Sequence, residues 1–163
     1  MMPQLRLATL ALASLSIALL TGCQTKKPEF EGIQSSRIAT ANAIKAEEPG
    51  DYWIGRRFYK RDYKFWGYVR RPGQPWSTAQ LVMMNEQGKL APDREQGQIG
   101  SDNNYEYKLT GNFSGQTVYE PASNGKYPEF VLQSYELRSV SPTNIYRVAG
   151  ATDPSRRIIA RPN

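Results

Sequence analysis

Histidine is absent from all 163 residues, and cysteine occurs once, as Cys23. Without histidine there is no Ser-His-Asp or Cys-His nucleophile system, and the usual zinc sites of imidazole and thiolate are excluded. One cysteine cannot close an intrachain disulfide. Gly88-Lys89-Leu90 lacks the glycine spacing and the hydroxyl residue of a phosphate-binding loop. Asp102-Asn103-Asn104 has no Glu where a calcium loop needs one. Long apolar runs are missing too: the longest, Leu7 to Leu20, has fourteen residues, against about 20 for a spanning helix. No repeat of roughly 20 to 50 residues is visible. No cofactor is called for, and a non-enzymatic protein is expected.

The short apolar run is informative for what surrounds it. Arg6 precedes it, and Leu20-Thr21-Gly22-Cys23 closes it with small residues before a thiol. That order is that of a secretory signal. The stretch over residues 1–23 resembles the signal peptides of bacterial lipoproteins. The resemblance implies cleavage after Gly22, lipidation of Cys23, and a membrane partner reached through acyl chains. Several acyl chains anchor stably where one does not. Gln24 stands where an Asp would favour retention in the inner membrane, so the resemblance implies a cell-envelope address, on the outer membrane facing the periplasm.

Beyond the signal the chain carries a modest basic excess of about +5, which favours anionic surfaces without specifying a fold. All three Trp, all ten Tyr and four of the five Phe lie between positions 52 and 146. That concentration marks the folded unit. The expected organisation is a signal peptide over 1–22, a lipidated tether over 23–50, a β domain over 51–147 and a basic tail over 148–163. The tether is read as flexible, reaching roughly 30 Å, with a short helix at most between Arg37 and Glu48.

Strand signals begin at Asp51. Tyr52–Tyr59 and Tyr63–Arg71 are aromatic-rich runs, and Ala79–Glu86 is apolar on both faces at its centre. Tyr105, Tyr107, Leu109 and Phe113 alternate with polar residues, as in a half-buried strand. Gly111 at an inward position predicts a bend or a close backbone approach. Ser114-Gly115 is expected to end that strand, and Pro121 and Pro128 to limit pairing around the Asn124-Gly125 turn. From Phe130 to Val140 the inward phase slips, which predicts a bulge near Gln133-Ser134. Ile158-Ile159 is the one apolar pair of the tail, read as a late edge strand.

Five or six strands with little helix predict an all-β fold, a small antiparallel barrel. The run Tyr105-Glu-Tyr-Lys-Leu-Thr-Gly, with Pro128-Glu-Phe-Val-Leu-Gln-Ser-Tyr-Glu-Leu after it, looks like the last two strands of an OB-fold. An OB-like barrel is therefore expected, with an SH3-like barrel or a small β-sandwich as the alternatives.

One constellation suggests a site. Residues 52–71 hold eight aromatics and seven basic residues against a single acid, Asp62. Arg56, Arg57, Lys60, Arg61, Lys64, Trp66 and Arg70 are the candidate ligand-binding residues, since cations bind phosphates and carboxylates while aromatic faces stack on flat ligands. Export makes an anionic envelope polymer (peptidoglycan, polysaccharide or lipid headgroups) the matching partner rather than nucleic acid. The competing reading is structural: aromatics fill the core and the cations cover the other face. Arg56 fits this imperfectly, because it shares a face with Ile54 and Phe58. On balance a structural or protein-interaction role in the envelope is expected, with the anionic-polymer module as the alternative. A carboxylate-based glycan hydrolase using Asp93, Glu95, Asp102, Glu106 or Glu120 is a remote third, needing two carboxyls about 5 to 9.5 Å apart.

Overall fold

The computed structural model describes residues 28–163, with side chains from residue 34 onward. Residues 1–22, read from the sequence as a signal peptide, and Cys23 lie outside the described residues. Helix α1 spans Pro28–Lys45, and five strands follow: β1 Trp53–Arg57, β2 Gly67–Arg70, β3 Gln80–Asn85, β4 Glu106–Glu120 and β5 Gly125–Ser139. They close in the order β1-β2-β3-β5-β4, with every pairing antiparallel except β3 with β5. This is an all-β, OB-like barrel. Closure leaves no free sheet edge, which is how a sheet this small avoids templating its own aggregation.

The β4–β5 hairpin follows its sequence pattern closely. Tyr107 and Leu109 point into the barrel, and Lys108 and Thr110 point out. Thr110 pairs with Ser134 and Gly111 with Leu132, so Gln133 is the bulged residue, where the phase slip placed it. Gly111 is the close approach: a Cβ there would lie 2.2 Å from the Val131 carbonyl oxygen. The strand does not end at Ser114-Gly115, however. Residues 114–116 form a second irregularity, and pairing resumes from Thr117 with Pro128 to Glu120 with Gly125. A turn over Pro121–Asn124 then closes it, its amides at Ala122 and Ser123 donating to the Glu120 carboxylate. Those bonds hold Glu120 below the usual carboxylate range although burial alone would raise it. The two prolines are thus accommodated beside irregularities rather than breaking the hairpin.

Strands β1 and β2 are buried on both faces, and β3 adds Val82 to the interior. Inside the barrel, Trp66, Val69 and Val82 pack with Leu109, Phe130 and Leu132. Gly55 makes room for them: a Cβ would meet the Leu109 and Trp66 side chains at 2.5 and 2.8 Å. On the outer face, Ile54, Phe58 and Tyr68 pack beneath Ile145, Tyr146 and Ala160. The C-terminal segment therefore forms a second layer over the sheet. It has no strand at Ile158-Ile159; its one bridge joins Tyr146 to Pro162.

The tether is more ordered than its composition suggests. Helix α1 has eighteen residues, about 27 Å at 1.5 Å each. No amphipathic face drives its docking, and most of its described residues are exposed. Just beyond its end, Glu47 accepts both Arg70 nitrogens at 2.7 Å, the Gly73 amide at 2.9 Å and Arg138 at 3.2 Å. Burial opposes the charge of Glu47, but these donors win and hold its carboxyl below the ordinary value.

Candidate functional site

The basic residues of β1 and β2 do not form an exposed cationic surface. Alternation sends Arg57 into the barrel, where it is 5% exposed, beside two carboxylates from the β3–β4 connection. Its Nη2 donates to Asp93 Oδ2 at 2.8 Å and its Nε to Asp102 Oδ1 at 3.3 Å. Its Nη1 donates to the Trp66 carbonyl. Short helix α2, Pro92–Glu95, delivers Asp93, which also accepts the Gly100 amide at 2.9 Å. Asp102 accepts the Tyr107 hydroxyl at 3.1 Å. The two acids differ in consequence. Burial tends to raise both. For Asp93 it is overcome by Arg57 and backbone amides, which lower the carboxyl, whereas Asp102 remains raised.

Arg56, Lys60 and Arg70 face the other way, into the layer beneath the C-terminal segment. Arg56 pairs with Glu106 at 2.7 Å and donates to the Thr143 carbonyl at 3.1 Å. Arg56 and Arg70 both lie over the Trp76 ring, their guanidinium carbons 5.2 and 4.5 Å from its centroid. Burial pushes the Arg56 guanidinium down from its ordinary value, against the pull of Glu106. Lys60 is 1% exposed, and its ammonium donates to the carbonyls of Ala151 and Asp153 at 2.5 and 2.7 Å. Burial lowers it as well, partly offset by the Asp153 charge. Tyr68 adds a hydroxyl bond to the Ala160 carbonyl at 2.9 Å.

The seven candidate residues thus separate. Arg56, Arg57, Lys60 and Arg70 are buried and already bonded, and Trp66 packs in the barrel against Tyr107. Only Arg61 and Lys64 are exposed, in the connection between β1 and β2. Of the seven, burial leaves only these two cations in water, since a cation that has left water for a carboxylate is spent on that partner. Both faces of the hairpin carry aromatics because both are covered, which also explains why Arg56 shares a face with Ile54 and Phe58.

The carboxylates are similarly engaged. Asp93 and Asp102 share Arg57, Glu106 serves Arg56 and Arg138, and Glu95 serves Lys89 and Tyr135. Among the described residues no group of three or more acidic, His or Cys side chains could hold a metal ion.

A separate groove of about 960 Å³ runs between α1 and the C-terminal segment. Ile44, Trp76, Ile145 and Tyr146 make its apolar walls, with Arg37, Lys45 and Arg147 at its margins. Sequence reasoning missed it, because its two sides are a hundred residues apart and neither has an apolar period. No family model, no curated protein and no solved structure matches this chain.

Proposed function

We propose that this protein is a non-catalytic, lipid-anchored component of a bacterial cell envelope, with a structural or protein-interaction role. The observation that carries the non-ligand part of this reading is the covering of the outer face of β1 to β3 by residues 143–162. That is the face on which OB-fold barrels take oligonucleotides and oligosaccharides. Here it is filled by Ile145, Tyr146 and Ala160, and its cations are bonded to Glu47, Glu106 and backbone carbonyls. The anchoring part is supported by Leu20-Thr21-Gly22-Cys23, with the outer membrane favoured by Gln24. Helix α1 begins five residues after Cys23 and would act as a spacer between anchor and barrel. The anionic-polymer reading retains Arg61 and Lys64 as its exposed cations, and it is the weaker of the two.

The anchor is tested by intact mass of the membrane fraction. Loss of residues 1–22 and gain of a diacylglyceryl group, with a further amide-linked acyl chain, is the expected result. A Cys23→Ala chain should remain unprocessed. Processing and membrane retention of that variant would contradict the anchoring reading.

A further inference from the structure

The groove beneath α1 combines apolar walls with cations that no carboxylate among the described residues neutralises. Arg37, Lys45 and Arg147 are exposed, and none has an ion-pair partner among the described residues. This sets them apart from Arg56, Arg57, Arg70 and Arg138, each held by at least one carboxylate. Among the described residues, no Asp or Glu side chain lines the groove. Arg37 and Lys45 are eight residues apart on one helix, about 12 Å along its axis, and Arg147 comes from the opposite wall. Positive charge therefore lies along both margins of an apolar trough.

One more observation points to a ligand: the volume falls in the range of small-molecule sites, roughly 300–1,000 Å³, rather than that of a flat protein interface. A second copy of this chain is a poor occupant, because it would bring the same excess of positive charge.

We infer that this groove binds a single-chain anionic phospholipid. Its hydrocarbon chain would lie against Ile44, Trp76 and Ile145, and its phosphate between Arg37 and Arg147. A phosphate suits cations on two walls better than a carboxylate does, since its oxygens point in several directions and accept from more than one guanidinium. The inference rests on the proposed membrane setting as the source of the ligand, but not on acylation of Cys23 itself.

The test uses the full chain in phosphatidylcholine vesicles with monoacyl phosphatidylglycerol carrying a diazirine in its chain. Photolysis and peptide mapping should place adducts on peptides containing Ile44, Trp76 or Ile145. Arg37→Glu/Arg147→Glu, at two exposed positions outside the folded core, should reduce labelling about tenfold or more, the loss of one or two charged hydrogen bonds. A choline-headed probe carries the same phosphate but adds a quaternary ammonium that the groove's cations repel, so it should label less than the glycerol-headed one. Adducts spread over the barrel, equal labelling by the choline-headed probe, or labelling indifferent to the double substitution would each overturn the inference. Equal labelling by a diazirine fatty acid would overturn the phosphate assignment. Intact mass of the same sample reports acylation of Cys23, so failure of the groove and failure of the anchor are read separately.

Discussion

Replacing Arg57 with alanine should remove a large part of the stability of the domain. The substitution strands Asp93 and Asp102, whose side chains are 1% and 3% exposed, with no cation between them. Removing one partner of a buried ion pair costs about 3–5 kcal/mol, against a total of about 5–15 kcal/mol for a typical domain. Chemical denaturation followed by circular dichroism should show the loss as an earlier midpoint. Two further results separate stranded charge from lost packing. Adding Asp93→Asn and Asp102→Asn should restore part of the midpoint, because the amides carry no charge to desolvate. Mild acid should do likewise. With Arg57 gone, burial raises both carboxyls above their unfolded values, so the folded state binds protons the unfolded state has released. Stability of the variant should rise as the pH falls from 7 towards the ordinary carboxylate range. A variant that melts like the parent would mean that Arg57 is not holding two acids inside the barrel.

Deleting residues 144–163 should be as damaging, although the deletion removes no strand. It exposes Ile54, Phe58 and Tyr68, each 3% exposed or less in the intact chain. Each large apolar side chain returned to water costs about 1.5–3 kcal/mol, and three or more approach the whole stability of a small domain. The deletion also takes the carbonyls of Ala151 and Asp153 from Lys60, which ties the β1–β2 connection to the outer layer. The expected outcome is a chain without one cooperative thermal transition. An unchanged transition would show that the outer layer is decoration.

These two effects mark where sequence reasoning stopped. The β4–β5 hairpin was legible because it obeys local rules. Tyr107 and Leu109 alternate with polar neighbours, Gly111 sits where two backbones meet, and the phase slip fell on Gln133. Hairpin β1–β2 was harder, because period-two reasoning assumes one wet face and here neither face is wet. Arg56 in phase with Ile54 and Phe58 was the available signal. It meant a covered outer face and was read as imperfect sorting. The cover itself left little trace. Residues 143–162 hold the cations largely through backbone carbonyls, at Thr143, Ala151 and Asp153, and every sequence has carbonyls. The same holds for α1, which is tied down at its C-terminal side by Glu47 and Ile44 rather than by an apolar stripe along its described residues. In the sequence Asp93 and Asp102 stand out only as candidate carboxylates of the remote hydrolase reading. Their partner lies more than thirty residues earlier, a distance that no local pattern bridges.

Covalent footprinting of the folded protein addresses the central claim most directly, namely that the cations of β1 and β2 are internal fasteners rather than a ligand face. An amine-acylating reagent and an arginine-specific dicarbonyl, followed by peptide mapping, read each side chain separately. Lys60, Arg56, Arg57 and Arg70 should stay unmodified, while Lys64, Lys126, Arg61 and Arg147 react. All eight should react once the chain is denatured. Modification of Lys60, Arg56 and Arg70 in the folded protein at the rates of Lys64 and Arg61 would place those charges in water and contradict the account.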